Sequence, residues 1–263
     1  MLTNQQIDQA AQHFITRRRD AATGPALPPN CRPADIDDAL RIQQRVLQLL
    51  GAQVGGWKCS VPPAGGAVLA PIPHDKIFRA SPCSMPLTDA PQLAAVEPEI
   101  AYVMAADLPP RATSYSPEDI LQAVASTHLA FELIATRYAP GTPLELPDRL
   151  AESLSNYGLF LGPAIAAEQA RENVDGHALP AFRLTLSDAV NALGGWDGKH
   201  PDGHPLRALH WLVNFLSARN AGLRRGDVVT TGSYHGLIHL PSGVPLRMSF
   251  GTLGEIAVTM QAA

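Results

Sequence analysis

The sequence predicts an α+β fold in which helices come first and a mixed, strand-rich core follows. Apolar residues recur at helical spacing near the N-terminus, whereas most later apolar runs are short and bounded by glycine or proline. No strand–helix alternation is long enough for a doubly wound sheet or an eight-unit barrel. A chain of 263 residues can bury a substantial core.

Two amphipathic helices are predicted at the start of the chain. Thr3 and Gln6 have the spacing of a capping box, and the helical face that follows ends in the basic run 17–19, which we interpret as a solvated helix end. A second periodic segment follows a proline- and glycine-rich link and stops before Gly51, a residue suited to a left-handed helix cap. We expect residues 1–53 to form a small helical subdomain and residues 54–263 the main domain.

Further elements are predicted along the main domain. Ser116 before Pro117 and two acidic residues is a helix start, and we expect that helix to reach about residue 126. Another helix is predicted over residues 206–219. Strand candidates are residues 93–105, 158–165, 182–186, 228–233, 246–250 and 256–260.

Three glutamates in apolar surroundings suggest a metal site. Residues i and i+2 of a strand point the same way, so Glu97 and Glu99 present two carboxylates from one face. Glu132 lies in a second apolar run. Buried carboxylates need a cation, and oxygen ligands without cysteine or histidine suit Mg²⁺ or Mn²⁺ better than zinc.

A plainer interpretation of these glutamates stays open at this stage. Pro98 cannot donate to a sheet, so the segment would then be an exposed edge strand with both carboxylates in water. Glu132 would then be paired with Arg137.

Composition limits the classes of partner. A net charge of −4 gives no basic field for nucleic acid or anionic membrane, and no apolar stretch approaches the roughly 18 residues of a spanning helix. The polar first residues are unlike a signal peptide, and Cys31, Cys59 and Cys83 form no obvious disulfide framework. We expect a cytoplasmic protein that binds neither nucleic acid nor membrane.

Short motifs follow one another along the main domain. They are Gly56-Trp57-Lys58, Val96-Glu97-Pro98-Glu99-Ile100, Ala130-Phe131-Glu132-Leu133-Ile134 with Arg137, Gly203-His204-Pro205-Leu206, Trp211-Leu212-Val213-Asn214, Leu223-Arg224-Arg225-Gly226-Asp227-Val228-Val229, Thr231-Gly232-Ser233 and Phe250-Gly251-Thr252-Leu253-Gly254. Each motif is weak alone, but in this order they resemble the 2-keto-4-pentenoate hydratase (2-oxo-hepta-3-ene-1,7-dioate hydratase) branch of the fumarylacetoacetate hydrolase superfamily. The resemblance spans about residues 54–260, and the order of the motifs makes it specific.

The resemblance implies a fold, a metal and a reaction. The fold would be a mixed β core, a β-roll or sandwich, with flanking helices. Glu97, Glu99 and Glu132 would hold Mg²⁺ or Mn²⁺, which chelates a small 2-oxo acid. The family reaction converts 2-hydroxypenta-2,4-dienoate into 4-hydroxy-2-oxopentanoate by ketonisation and addition of water at C4. The resemblance also implies a homo-oligomer.

Four further residues are candidates for the site. Lys58 is the candidate for proton transfer, with binding of the substrate carboxylate as the alternative. Glu152, followed by Ser153 where related hydratases carry Asp-Asn, is a second catalytic candidate. Arg137 would bind a substrate carboxylate, pair with Glu152 or be a surface charge. Ser233 would face the pocket or be an ordinary turn residue.

Other functions share the same ligand motifs. A 2-oxo acid decarboxylase of the 4-oxalocrotonate type would use the same metal as an electron sink. A carbon–carbon hydrolase of acylpyruvates is less favoured, because its relatives end with Gly-Thr-Pro where this chain has Thr231-Gly232-Ser233. A non-catalytic metal-binding homologue is the remaining alternative.

Overall fold

The computed structural model describes residues 1–88, 92–166, 169–170, 179 and 181–263, which form two β-sheets with flanking helices. The helices are α1 (Asn4–Arg19), α2 (Ile36–Leu50), α3 (Pro117–Gln122), α4 (Leu146–Ala151) and α5 (Pro205–Ser217). The strands are β1 (Val54–Cys59), β2 (Leu69–Pro73), β3 (Ile77–Phe78), β4 (Cys83–Met85), β5 (Leu93–Met104), β6 (Val124–Ile134), β7 (Asn156–Ala164), β8 (Ala181–Ser187), β9 (Ala192–Lys199), β10 (Val228–Thr230), β11 (Ile238–Pro241), β12 (Pro245–Phe250) and β13 (Glu255–Ala262). None of the described helices is long and apolar enough to span a membrane.

The larger sheet has eight strands and nearly closes on itself. Its order is β2-β1-β10-β5-β6-β7-β3, and β11 also pairs with β5. The short segment from β2 to β3 pairs with β1 at one edge and with β7 at the other, so it joins the two ends of the sheet. A sheet closed in this way has few free edges and a narrow interior.

The inner face of this sheet holds a small apolar cluster. Its buried members come from five strands and are Ile72, Ala101, Ala130, Leu159, Leu161 and Val228. Small side chains suit the narrow space. At Gly56 a Cβ atom would lie 2.2 Å from the carbonyl oxygen of Val228, so glycine lets β1 and β10 approach closely there. By register, the three glutamates lie on this same face.

The second sheet, in the order β4-β13-β12-β8-β9, covers the outer face of the first. The rings of Phe131 on β6 and Phe250 on β12 lie 6.1 Å apart, and large apolar side chains fill the space between the sheets. The predicted mixed β core with flanking helices is therefore confirmed.

The N-terminal helices begin and end as predicted. The capping box of Thr3 and Gln6 is present, and Gly51 caps α2 in the left-handed conformation at a φ of 61°. Both helices share one continuous apolar core with the sheets. Buried Gln43 on α2 also donates to the carbonyl oxygens of Leu69 and Leu150. Division of the chain at residue 53 stays a prediction.

Several predicted boundaries were wrong. Helix α3 ends at Gln122, because β6 begins two residues later at Val124. Strand β10 ends at Thr230, because the chain turns at Gly232, whose φ is 120°. The proline- and glycine-rich stretch 62–91, whose composition predicts loops and short strands, contains the short strands β2, β3 and β4, and its residues 89–91 lie outside the described part.

The basic run 17–19 is not a solvated helix end. Arg17 donates to the carbonyl oxygens of Pro25 and Arg137. Arg18 is partly buried, and burial together with the charge of Arg137 lowers its pKa well below the usual value. Only Arg19, of the three, is exposed.

Candidate active site

Strand pairing brings the three predicted ligands together. Glu97 and Glu99 lie two residues apart on β5, and Glu132 on β6 is the direct antiparallel partner of Glu97. One carboxylate oxygen from each residue lies within 4.8 Å of the others. Residues opposite each other across an antiparallel pair face the same way, so the register itself produces the cluster.

The edge-strand interpretation of these glutamates was wrong. Strand β5 lies between β6 on one side and β10 and β11 on the other. Glu99 is 2% exposed and Glu132 is fully buried, whereas Glu97 is partly exposed. Glu97 therefore lies on the more open side of the cluster.

Hydrogen bonds hold Glu99 from the β10 side. Its Oε2 accepts from the hydroxyl of Thr230 and, at 2.9 Å, from the backbone N–H of Gly232. Thr230 lies near Glu99 because it is the β10 partner of Ala101, which follows Glu99 by two residues on β5 and faces the same side of the sheet. Charge-assisted bonds of this kind fix the orientation of a carboxylate.

Glu132 is held through one oxygen only. Its Oε1 lies 2.7 Å from the Nζ of Lys58 and accepts from the side-chain amide of Asn156 at 2.8 Å. Its buried Oε2 has no hydrogen-bond partner among the residues that the structure describes. An unpaired buried carboxylate oxygen is costly, and this one belongs to the acidic cluster.

The cluster carries an excess of negative charge. Burial and the charge of Glu132 raise the pKa of Glu99 to about 8, and the same two causes raise that of Glu97. Burial alone would lower the pKa of Lys58, but Glu132, Glu99 and Glu97 outweigh it and raise this pKa. With all groups ionised, the three carboxylates and one ammonium leave two negative charges.

These residues fit a divalent cation. Such an ion would neutralise the two uncompensated negative charges. It would also bind the three convergent carboxylates and give the unpaired Oε2 of Glu132 a partner. Carboxylate oxygens without sulfur or nitrogen ligands favour Mg²⁺ or Mn²⁺. The metal expected from the sequence therefore has a suitable site.

Lys58 reaches the cluster from β1. This strand pairs in parallel with β10, and Lys58 lies opposite Thr230. Besides its ion pair with Glu132, the ammonium donates to the carbonyl oxygen of Leu154 at 3.2 Å. Its side chain is only 14% exposed, so most of it is buried beside the cluster.

Arg137 and Glu152 form a buried ion pair with each other. Nη1 of Arg137 lies 3.3 Å from Oε2 of Glu152, and both side chains are nearly inaccessible. Of the three roles considered for Arg137, the structure shows the ion pair with Glu152. Glu132 is paired with Lys58 instead of Arg137.

The hydroxyl of Ser233 is used within its own turn. It accepts from the backbone N–H of Gly236 at 2.8 Å and donates to the carbonyl oxygen of the same residue at 3.3 Å. This is the geometry of a turn residue. Ser233 is nevertheless next to Gly232, whose N–H contacts Glu99.

Three contacts of the site had not been predicted from the sequence. These are the hydroxyl of Thr230, the amide of Asn156 and the carbonyl oxygen of Leu154. Thr230 precedes the Thr231-Gly232-Ser233 motif, which pointed to this region. Asn156 and Leu154 follow the Glu152-Ser153 departure, and no sequence pattern shows what they touch.

Comparison with known proteins agrees with the fold and the resemblance. No family model matches the sequence. The chain is 24% identical over 270 residues to a 2-hydroxyhexa-2,4-dienoate hydratase of Comamonas testosteroni, covering 98% of each chain. It is 23% identical over 277 residues to a 2-keto-4-pentenoate hydratase of Paraburkholderia xenovorans, covering 99% of this chain and 97% of the relative. A 27% match to a Burkholderia vietnamiensis 2-keto-4-pentenoate hydratase is partial and covers 59% of that relative.

Solved structures show the same architecture. A 4-oxalocrotonate decarboxylase from Pseudomonas putida G7, complexed with magnesium and adipate, superposes with a TM-score of 0.77 at 15% identity and covers 99% of both chains. A yeast fumarylacetoacetate hydrolase family protein gives a TM-score of 0.52 at 14% identity, covering 81% of this chain and 95% of the other. At such identities the likeness establishes the fold alone.

The chain thus has the fold of solved fumarylacetoacetate hydrolase family structures, and its acidic cluster fits a divalent cation. In sequence it is similar over nearly its whole length to hydratases of the 2-keto-4-pentenoate type, as the motifs predicted.

Proposed function

We propose that the protein is a divalent-metal-dependent hydro-lyase. It adds water to a 2-hydroxy-2,4-dienoate, through the 2-oxo-enoate form, and gives a 4-hydroxy-2-oxo acid. The observation that carries the proposal is the convergence of Glu97, Glu99 and Glu132 beside Lys58. The hydratase names of relatives that match almost the whole chain support the class of substrate.

Glu97, Glu99 and Glu132 would hold Mg²⁺ or Mn²⁺ in this enzyme. When bound, such an ion supplies a Lewis acid that stabilises negative charge on a 2-oxo group. Glu99 is oriented by Thr230 and Gly232, and Glu132 by Lys58 and Asn156. Ligands oriented before the substrate arrives need little rearrangement during the reaction.

Lys58 is assigned the proton transfer. In the ketonisation of a pentadienoate the 2-hydroxyl loses a proton and C5 gains one; in the hydration, the water oxygen bonds to C4 and C3 gains a proton. Both steps need a group that carries protons between oxygen and carbon. The Lys58 ammonium is the cationic group in contact with the acidic cluster.

Direct roles for three other candidates stay predictions. These roles are catalysis by Glu152 and substrate binding by Arg137 and Ser233. Each would have to use groups that already bond within the protein.

The experiment that tests the function is incubation of the metal-loaded protein with 2-hydroxypenta-2,4-dienoate and, separately, with 4-oxalocrotonate. We expect 4-hydroxy-2-oxopentanoate in the NMR spectrum of the first, dependent on Mg²⁺ or Mn²⁺. Release of CO₂ from 4-oxalocrotonate without hydration of the dienoate would replace the hydratase with a decarboxylase. An EDTA-treated sample and a Glu99→Gln variant are the controls.

We also propose that the enzyme works in the cytoplasm, as a homo-oligomer, on a small-molecule 2-oxo acid. Three buried cysteines, all with free thiols, are compatible with a reducing compartment. Oligomerisation rests on the resemblance to the hydratases. Light scattering coupled to size-exclusion chromatography would give the mass of the particle, and a mass of one 28.0 kDa chain would contradict this part.

A further inference from the structure

Three consecutive residues after α4 adopt left-handed backbone conformations. The φ angles are 75° at Ser153, 54° at Leu154 and 62° at Ser155, and none of the three is glycine. Residues with a Cβ rarely adopt such angles even singly. A run of three persists only where the surrounding structure holds it, and such strain is often found at functional sites.

Glu152 holds the turn from its N-terminal end. Its Oε1 accepts from the backbone N–H of Ser155 at 2.6 Å and from the hydroxyl of the same residue at 3.1 Å. Its Oε2 accepts from Arg137, both from the backbone N–H at 3.4 Å and from Nη1 at 3.3 Å. Both carboxylate oxygens are thus used as acceptors.

Arg137 holds the same turn from its C-terminal end. Its Nη2 donates to the carbonyl oxygen of Asn156, and its Nη1 donates to the carbonyl oxygen of Ala135 at 2.6 Å. Two nitrogens of the planar guanidinium share these bonds with the contact to Glu152, a fork geometry that the single nitrogen of a lysine lacks. The buried pair therefore brackets the left-handed run on both sides.

This turn contacts the candidate active site at two points. The carbonyl oxygen of Leu154 accepts from Nζ of Lys58 at 3.2 Å, and the amide of Asn156 donates to Oε1 of Glu132 at 2.8 Å. Lys58 and Asn156 both bond to the same oxygen of Glu132, and Oε2 is left without a partner. The turn thus orients one proposed metal ligand and the proposed proton carrier together.

We propose that Arg137 and Glu152 are positioning residues that hold the 153–155 turn so that it fixes Lys58 and Glu132. The proposal rests on the proposed function for what Lys58 does, but its effect on metal binding through Glu132 does not depend on the substrate. Glu152 then acts without touching substrate. The two contacts of the turn with the site can be tested separately, because Asn156 bonds to Glu132 and Leu154 bonds to Lys58.

Two variants distinguish the contact with Glu132 from the contact with Lys58. Asn156→Ala removes the bond to Glu132, together with a longer one at 3.3 Å to the carbonyl oxygen of Gly158, and leaves the bond between Lys58 and Leu154 in place. We therefore expect Mn²⁺ affinity, measured by calorimetry, to fall about 10- to 100-fold while kcat at saturating Mn²⁺ stays within about threefold of the parent. Glu152→Gln places an amide N–H against the donors of Ser155 or Arg137 and releases the whole turn. It should weaken Mn²⁺ binding similarly and also lower kcat at saturating Mn²⁺ by about tenfold or more.

A matched control and a rescue complete the test. Glu145→Gln changes an exposed glutamate at the other end of α4 and should leave metal affinity and kcat unchanged. Ser153→Gly removes the Cβ that disfavours a positive φ, so the turn needs less support. Adding it to a Glu152→Gln variant whose circular dichroism shows it to be folded should therefore restore part of the lost kcat.

The outcomes are decisive in either direction. Parent-like Mn²⁺ affinity and kcat in folded Glu152→Gln would overturn the proposal, as would a loss of kcat without loss of affinity in Asn156→Ala. If Glu152→Gln does not fold, Asn156→Ala still tests whether the bond from Asn156 positions Glu132 for metal binding. If the parent hydrates no dienoate, the proposed function fails, whereas the Mn²⁺ titrations test the positioning of Glu132 regardless.

Discussion

Glu97 and Glu132 face each other directly across the antiparallel strands β5 and β6. Like charges in directly opposed positions destabilise a sheet, and burial adds to the cost. Glu99 is adjacent on the same face, so three carboxylates share one small region. A structure that accepts this repulsion needs a cation there, and the ammonium of Lys58 compensates only one of the three charges.

Replacement of Glu99 by glutamine tests the metal assignment. The amide has almost the same shape, and its oxygen can still accept from Thr230 and Gly232, so the fold should be retained. Loss of one ligand charge should weaken Mn²⁺ binding by on the order of 100-fold or more and remove metal-dependent turnover. Calorimetric titration measures the affinity, with Glu118→Gln, on the exposed side of α3, as the control. Parent-like binding in Glu99→Gln would contradict the assignment.

The stability of the metal-free protein should depend on pH through Glu99. Its pKa is about 8 in the folded state, against 4.5 for an ordinary glutamate. Between these values the folded state keeps a proton that the unfolded state has lost, so stability falls as pH rises from about 4.5 to about 8. Melting temperatures in EDTA should show this decline.

Glu99→Gln provides the reference for this measurement, because it cannot titrate. The parent should lose more stability than the variant across the same pH range. Added Mn²⁺ should stabilise the parent most at the alkaline end, because metal ligands must be deprotonated. Equal pH slopes for parent and variant in EDTA would show that Glu99 does not carry the effect.

Replacement of Lys58 by methionine tests proton transfer. Methionine fills a similar volume but carries no proton, so turnover should fall on the order of 100- to 10,000-fold. Glu132, freed of its ion pair, keeps its bond to Asn156, so Mn²⁺ should still bind. Lys199→Met, on exposed β9 surface, is the control. Unchanged kcat in Lys58→Met would remove Lys58 from the mechanism.

Local sequence patterns predicted the elements that local physics determines. The capping box at Thr3, the left-handed cap at Gly51 and the paired carboxylates of β5 follow from spacing and residue type alone. Glu132 was identified as a carboxylate within an apolar run, and the resemblance to the hydratases added Lys58. These predictions required no knowledge of which strands are neighbours.

The support around those residues depends on long-range pairing and could not be read from spacing. Lys58 reaches Glu132 because β1 pairs with β10, more than 160 residues later in the chain. Short strands were predicted in the proline-rich stretch 62–91, but its sequence lacks the alternation that would show where β2 and β3 begin or that they close the sheet. The left-handed turn at Ser153 was missed because its sequence contains no glycine.

The attachment of the N-terminal helices to the sheet is tested by Gln43→Met. Gln43 is buried, and its amide donates to the carbonyl oxygens of Leu69 on β2 and Leu150 on α4. Methionine preserves the volume but removes both of these buried hydrogen bonds, although the carbonyl oxygen of Leu150 keeps its bond from the backbone N–H of Ser153. The loss should lower the free energy of unfolding by about 1–3 kcal/mol. Gln44→Met, on the exposed side of the same helix, should change it by less than about 0.5 kcal/mol. Equal effects of the two substitutions in urea unfolding would mean that α2 is not anchored through Gln43, and would favour residues 1–53 as a separately held subdomain.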